Sequence, residues 1–132
     1  MNSKDFTYEL ISKYEKLTGQ TLSTDDIGFY LTEIIDEKGN ALFELQLTKR
    51  QAARICYEFM KNALKLKDED WKDAGKLKDI YSCKVCANPI AQCYVRGIIL
   101  PLREDLFGSD DIIGTDEAKM IVNKIMVLVQ EI

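Results

Sequence analysis

Apolar residues return at helical spacing along most of this chain, and that spacing predicts an all-α fold of about five helices. Phe6, Leu10, Tyr14 and Leu17 share one face over about Lys4 to Leu17, with Ser3 placed to cap and Gly19 just past the end. Ser23 or Thr24 opens a second helix. Asp25 and Asp26 occupy its first turn, where free N–H groups favour negative charge, and Ile27, Leu31, Ile34 and Ile35 face inward. Asp36-Glu37-Lys38-Gly39-Asn40 reads as a turn. Leu42 to Leu47, with Phe43, Leu45 and Leu47 alternating against Glu44 and Gln46, reads as at most a small strand.

The third helix has the clearest start, because Thr48 and Gln51 form a capping box ahead of Ala52, Ile55, Cys56, Phe59, Met60 and Ala63. Leu64 to Lys78 is polar and irregular, a connector with room for one helical turn. A short fourth helix is expected from Asn88 as cap, Pro89 at the first helical position and Gly97 as terminator, with Ile90, Cys93 and Tyr94 on one face. The last runs from about Thr115 to Val129 along the stripe Ala118, Ile121, Val122, Ile125, Met126 and Val129.

Two stretches repeat one another. Ile34-Ile35, Phe43 eight residues on, and the capped start Leu47-Thr48-Lys49-Arg50-Gln51-Ala52 recur as Ile98-Ile99, Phe107, and Ile113-Gly114-Thr115-Asp116-Glu117-Ala118. Each unit is a helix, a loop plugged by an aromatic, and a second helix. One such hairpin cannot cover its own apolar face, so the two must share a core.

These residues carry a resemblance. Asp79 to Met126 resembles, without a gap, an S-layer homology (SLH) module. Asp79-Ile80 stands at the opening pair, Ile90 at the helix isoleucine, Cys93 at the small alanine, Gly97-Ile98-Ile99 at G-I-I, Phe107 at the loop aromatic, and Ile113 with Glu117-Ala118 at the ends of I-T-R-A-E-A. Residues 34–64 are similar in part, through Phe43 and Leu47 to Ala53. On this reading the chain is a single domain, residues 1–132. Residues 1–32 are a helical extension or degenerate unit, 33–64 a partial SLH-like unit, 65–78 a connector and 79–129 a second unit.

The resemblance implies a small helical module that anchors exported bacterial proteins to cell-wall polysaccharide, with the arginine of I-T-R-A-E helping to hold an anionic sugar. Here Lys49 and Thr115 stand at that arginine, Lys84 at the usual histidine and Val85 at the aromatic after it. The packing positions are kept and the ligand positions are changed.

Composition narrows the chemistry. With 132 residues, 46% hydrophobic and 30% charged, the chain can bury one core without staples. Eighteen basic residues against 22 acidic ones leave a charge of −4, which argues against nucleic acid as a partner. There is no histidine, so the triads that rely on one are excluded and a non-enzyme without cofactors is expected. No apolar run is long enough to insert in a membrane, and the opening Met1-Asn2-Ser3-Lys4-Asp5 lacks a signal-peptide pattern.

The cysteines, Cys56, Cys83, Cys86 and Cys93, read as free thiols, with Cys86 and Cys93 at small buried positions and Cys56 in an apolar stripe. An alternative gathers all four about zinc, since C-x-x-C supplies two soft ligands from one turn. Lys49, Arg50 and Arg54 at the start of the third helix, with Arg103 in the later loop, are the candidate ligand-binding residues. A solvated, self-repelling charged turn is the plainer reading of the first three. Trp71 either docks a partner or covers the seam between units, and Asp68-Glu69-Asp70 reads as solvent-facing charge.

The expectation is therefore a non-catalytic SLH-like binding module for cell-wall polysaccharide. Its rival is a small inhibitor- or immunity-type protein that binds another protein and keeps the fold without the wall site. The first goes with a fragment of an exported protein at the cell surface, the second with a cytoplasmic protein whose native start is Met1.

Overall fold

The computed structural model describes residues 1–36 and 41–132. Among them are five α-helices: α1 (Ser3–Thr18), α2 (Thr24–Asp36), α3 (Lys49–Asn62), α4 (Lys84–Val95) and α5 (Thr115–Glu131). The class is all-α, as expected. The turn expected over Asp36 to Asn40 falls on residues 37–40, outside the described residues.

Central α3 packs on α2 and α4, while α1 lies against α2, α3 and α5. Its apolar stripe explains that place, since Ala52, Ala53, Ile55, Cys56 and Phe59 are all fully buried. Both helix-loop-helix stretches feed one continuous core, in which Phe43 and Phe107 are the buried loop aromatics. Tyr14 meets Phe59 edge-on at 5.5 Å between ring centroids, tying α1 to α3.

Several local expectations are corrected. The α1 cap is Asn2, whose side chain accepts from Asp5 N at 2.8 Å, while Ser3 is buried and its carbonyl accepts from Thr7 Oγ1. Leu17 is 44% exposed rather than inward, in the last turn of α1, which ends at Thr18 and is capped by the left-handed Gly19. At α3, Thr48 accepts from Gln51 N as expected, but the Gln51 amide turns away and donates to Tyr30 Oη at 2.7 Å.

Leu42 to Leu47 is not a strand. Ala41–Glu44 forms a 3-10 turn that buries Phe43, and Leu45 just beyond it is 60% exposed. The chain then runs extended between two neighbours. Leu47 N donates to Met1 O at 2.9 Å, and Leu47 O accepts from Ile113 N at 2.8 Å. Leu47 and Ile113 are equivalent positions of the repeat, so the two units join at matching points.

Helix α4 begins four residues before its expected cap. Cys83 occupies the N-cap position and Pro89 lies inside the helix. Asn88 is not needed as a cap because its side chain holds the connector instead, accepting from Trp71 Nε1 at 2.9 Å and donating to Asp68 at 2.9 Å. Buried Gln92 adds two bonds to the backbone of Glu69. Trp71 thus ties the connector to the second unit, bonded to Asn88 and stacked at a tilt 6.0 Å from the exposed Tyr81. The connector's one helical turn is present as the 3-10 turn Ala74–Lys76, and a second 3-10 turn, Ile80–Ser82, follows beyond the connector.

Two glycines shape the helices. Gly28 breaks α2 at φ +86°, and a Cβ there would collide with the Asn62 side chain at the end of α3. Gly97, at φ +69°, closes α4 as its N–H donates to Tyr94 O at 3.1 Å and Ile98 N donates to Cys93 O at 2.9 Å. Open space surrounds Gly97, so a side chain there meets only backbone strain. Gly97→Val is expected to lower stability by about 1–3 kcal/mol in a urea melt, and a loss near zero would contradict this helix end.

Candidate functional site

The cations picked out at the start of α3 are engaged with the protein itself. Lys49 is the first residue of that helix and only 6% exposed. Its Nζ donates to Leu100 O and Phe107 O, both at 2.7 Å, and lies 4.9 Å from the centre of the Phe107 ring. Burial lowers the Lys49 pKa below the ordinary lysine value, while Glu117, Asp111 and Asp79 pull it back. Two carbonyls of an irregular loop are thereby bonded, that of Phe107 in addition to the bond it accepts from Leu102 N at 3.1 Å.

Asp79 holds the same loop from the other side. One carboxylate oxygen accepts from Phe107 N at 2.8 Å; the other accepts from Gly108 N and Ser109 N at 2.9 Å and from Ser109 Oγ at 3.0 Å. Burial pushes the Asp79 carboxyl up, but the bonds from Ser109, Phe107 and Gly108 outweigh it and keep its pKa below the usual 3.8. Lys49 N and Arg50 N extend the joint by donating to Asp111 O and Ser109 O, each at 3.0 Å.

Arg50 pairs with Asp110 at 2.9 Å and donates to Ser82 Oγ at 2.9 Å. Arg54 lies 4.3 Å over the Tyr30 ring, its Nε buried without a hydrogen-bond partner among the described residues. Arg103 sits apart in the later loop, exposed, and bonds Asp105 at 3.3 Å. Lys49, Arg50 and Arg54 thus share one end of α3 but converge on internal partners, and Arg103 contributes to another surface.

The thiols divide into two pairs. Cys83 and Cys86 form a disulfide, which corrects the expectation of four free thiols, while Cys56 and Cys93 are free and fully buried. The Cys93 thiol and burial together raise the pKa of Cys56 well above the ordinary thiol value. Among the described residues no three or more cysteine or carboxylate side chains gather where a metal could be held, so the zinc alternative has no assembled site.

A different surface is hollowed and partly apolar. Between α5 and the segment after α4, Arg96, Gly97, Ile98, Lys124, Val127, Leu128 and Glu131 line a hollow of about 320 Å³. A smaller one of about 70 Å³ continues it through Ile98 and Lys124 to Leu100, Glu117 and Met120. Leu100, Met120 and Val127 are 61%, 57% and 51% exposed, so apolar side chains stand along its length. The inward stripe of α5 drew sequence reasoning away from this face. Its signal is the seven-residue spacing of Met120 and Val127, a second apolar row on one helix.

The chain matches no family model, no curated protein and no solved structure.

The Asp79 brace predicts that Asp79→Ala costs about 2–3 kcal/mol at neutral pH, where the ionised carboxylate is lost and its donors on Phe107, Gly108 and Ser109 are left unpaired. The folded pKa is lowered, so this stability is present above about pH 4 and is lost as pH falls through the folded value. Chemical denaturation of both proteins should therefore show the gap narrowing as pH falls below about 4, and a constant gap would contradict an ionic brace.

Proposed function

We propose that this chain is a non-catalytic binding domain whose partner is an apolar segment of another protein, seated along the groove between α5 and residues 96–100. The observation that carries the reading is the continuous groove with Leu100, Met120 and Val127 held open to solvent. Exposed apolar rows of this kind mark contact surfaces more often than inert ones. From Glu117 to Glu131 the groove follows α5 for about 20 Å, the length of roughly four helical turns. Arg96 and Lys124 with Glu117 and Glu131 give it a rim of both charges, suited to setting the orientation of a bound helix.

The likeness to S-layer homology modules fits this reading as a packing scheme whose wall-ligand positions have been reassigned. Ile98, Ile99, Phe107 and Ile113 are buried where the resemblance puts packing residues. Lys49, at the position of the sugar-gripping arginine, is turned inward onto Leu100 and Phe107. The absence of histidine and the use of Asp79 and Lys49 in structural bonds support a role without catalysis.

Selection from a displayed peptide library against the folded chain tests the proposal. Peptides with apolar anchors at helical spacing should be enriched, and Met120→Glu with Val127→Glu should weaken their binding at least about tenfold while leaving the melting temperature unchanged. Enrichment indifferent to that pair, or retention on purified cell wall with no peptide enriched, would overturn it.

A further inference from the structure

Independently of the groove, we infer that Cys83–Cys86 is a thiol–disulfide exchange site at which an external thiolate attacks Cys83. The two sulfurs are not equivalent. Cys83 occupies the N-cap position of the twelve-residue α4, is partly exposed and makes no side-chain capping bond. Cys86, one turn into the helix, is only 4% exposed and belongs to the core. An attacking thiol therefore reaches one sulfur and not the other, and the buried one is the leaving group.

The surroundings favour the charge that reduction creates. A Cys83 thiolate would stand at the positive end of the α4 dipole, beside the exposed Lys84. Tyr81 and Val85, 66% and 65% exposed, flank it and leave the approach open. The second thiol pair cannot substitute. Cys56 and Cys93 are fully buried, and the Cys56 thiol is held protonated by its neighbour and by burial.

The steps balance. The thiolate of a low-molecular-weight thiol forms a bond to Cys83 Sγ as the Cys83–Cys86 bond breaks, and the electron pair leaves on Cys86 Sγ, which takes a proton from water. A second thiolate attacks the external sulfur of the mixed disulfide and releases Cys83 as thiolate. The net change is two external thiols oxidised to one external disulfide and one protein disulfide reduced to a dithiol.

Glutathione and peptide mass mapping test the assignment on the whole folded chain. Air-oxidised protein should carry two thiols that alkylate only after denaturation, mapping to Cys56 and Cys93. The Cys86→Ser variant, treated with oxidised glutathione, should accumulate one adduct on Cys83. The Cys83→Ser variant, with unchanged helical circular dichroism, should form its adduct on Cys86 at least about tenfold more slowly. Equal rates in the two variants, a first adduct on Cys56 or Cys93, or four alkylatable thiols in the air-oxidised protein would overturn the site.

Discussion

The structure depends on one joint, where a lysine and an aspartate hold the long loop between α4 and α5 from opposite sides. Such a loop exposes carbonyls and N–H groups that no helix satisfies, and burying it is costly unless each finds a partner. Lys49 takes the carbonyls of Leu100 and Phe107, and Asp79 takes the N–H groups of Phe107, Gly108 and Ser109. With these groups satisfied, the Phe107 ring can enter the core, and α5 can lie back across α1. The two bracing charges come from different parts of the chain, so the joint forms only when both helix-loop-helix stretches are in place.

That use of charge has a consequence for recognition. A lysine and two arginines at a helix start look like an anion receptor, yet each is drawn onto carbonyls, a carboxylate or a ring of its own protein. The exposed apolar side chains Leu100, Met120 and Val127 lie instead along α5 and the segment after Gly97, which meets the joint at Leu100.

Much of this was legible in the sequence, for reasons that differ by element. The stripes of α1, α3 and α5 are long and regular, and Gly19 and Gly97 stop helices through a conformation that favours glycine. Asp79 stands at the opening pair of the S-layer homology likeness, although nothing in its spacing shows that it caps a loop thirty residues on. The start of α4 was misplaced because Asn88-Pro89 has the form of a helix opening, while the Asn88 amide was needed by Trp71 and Asp68. Leu42 to Leu47 alternates like a strand, but a strand requires a neighbour over several residues, and here Met1 and Ile113 supply only single contacts. Lys49 illustrates the general difficulty. Pattern alone does not distinguish a cation that faces solvent from one whose ammonium reaches carbonyls more than fifty positions away.

Amide hydrogen exchange, resolved by residue, tests the joint most directly. The N–H groups of Phe107, Gly108, Ser109, Lys49 and Ile113 lie in loop or at a helix start, where exchange is ordinarily fast. If the joint closes the fold, they are protected to within about 1 kcal/mol of the core of α3 and exchange only in global opening. Exchange of these amides at loop-like rates, with α3 still protected, would show that the loop is merely laid on a fold held together elsewhere.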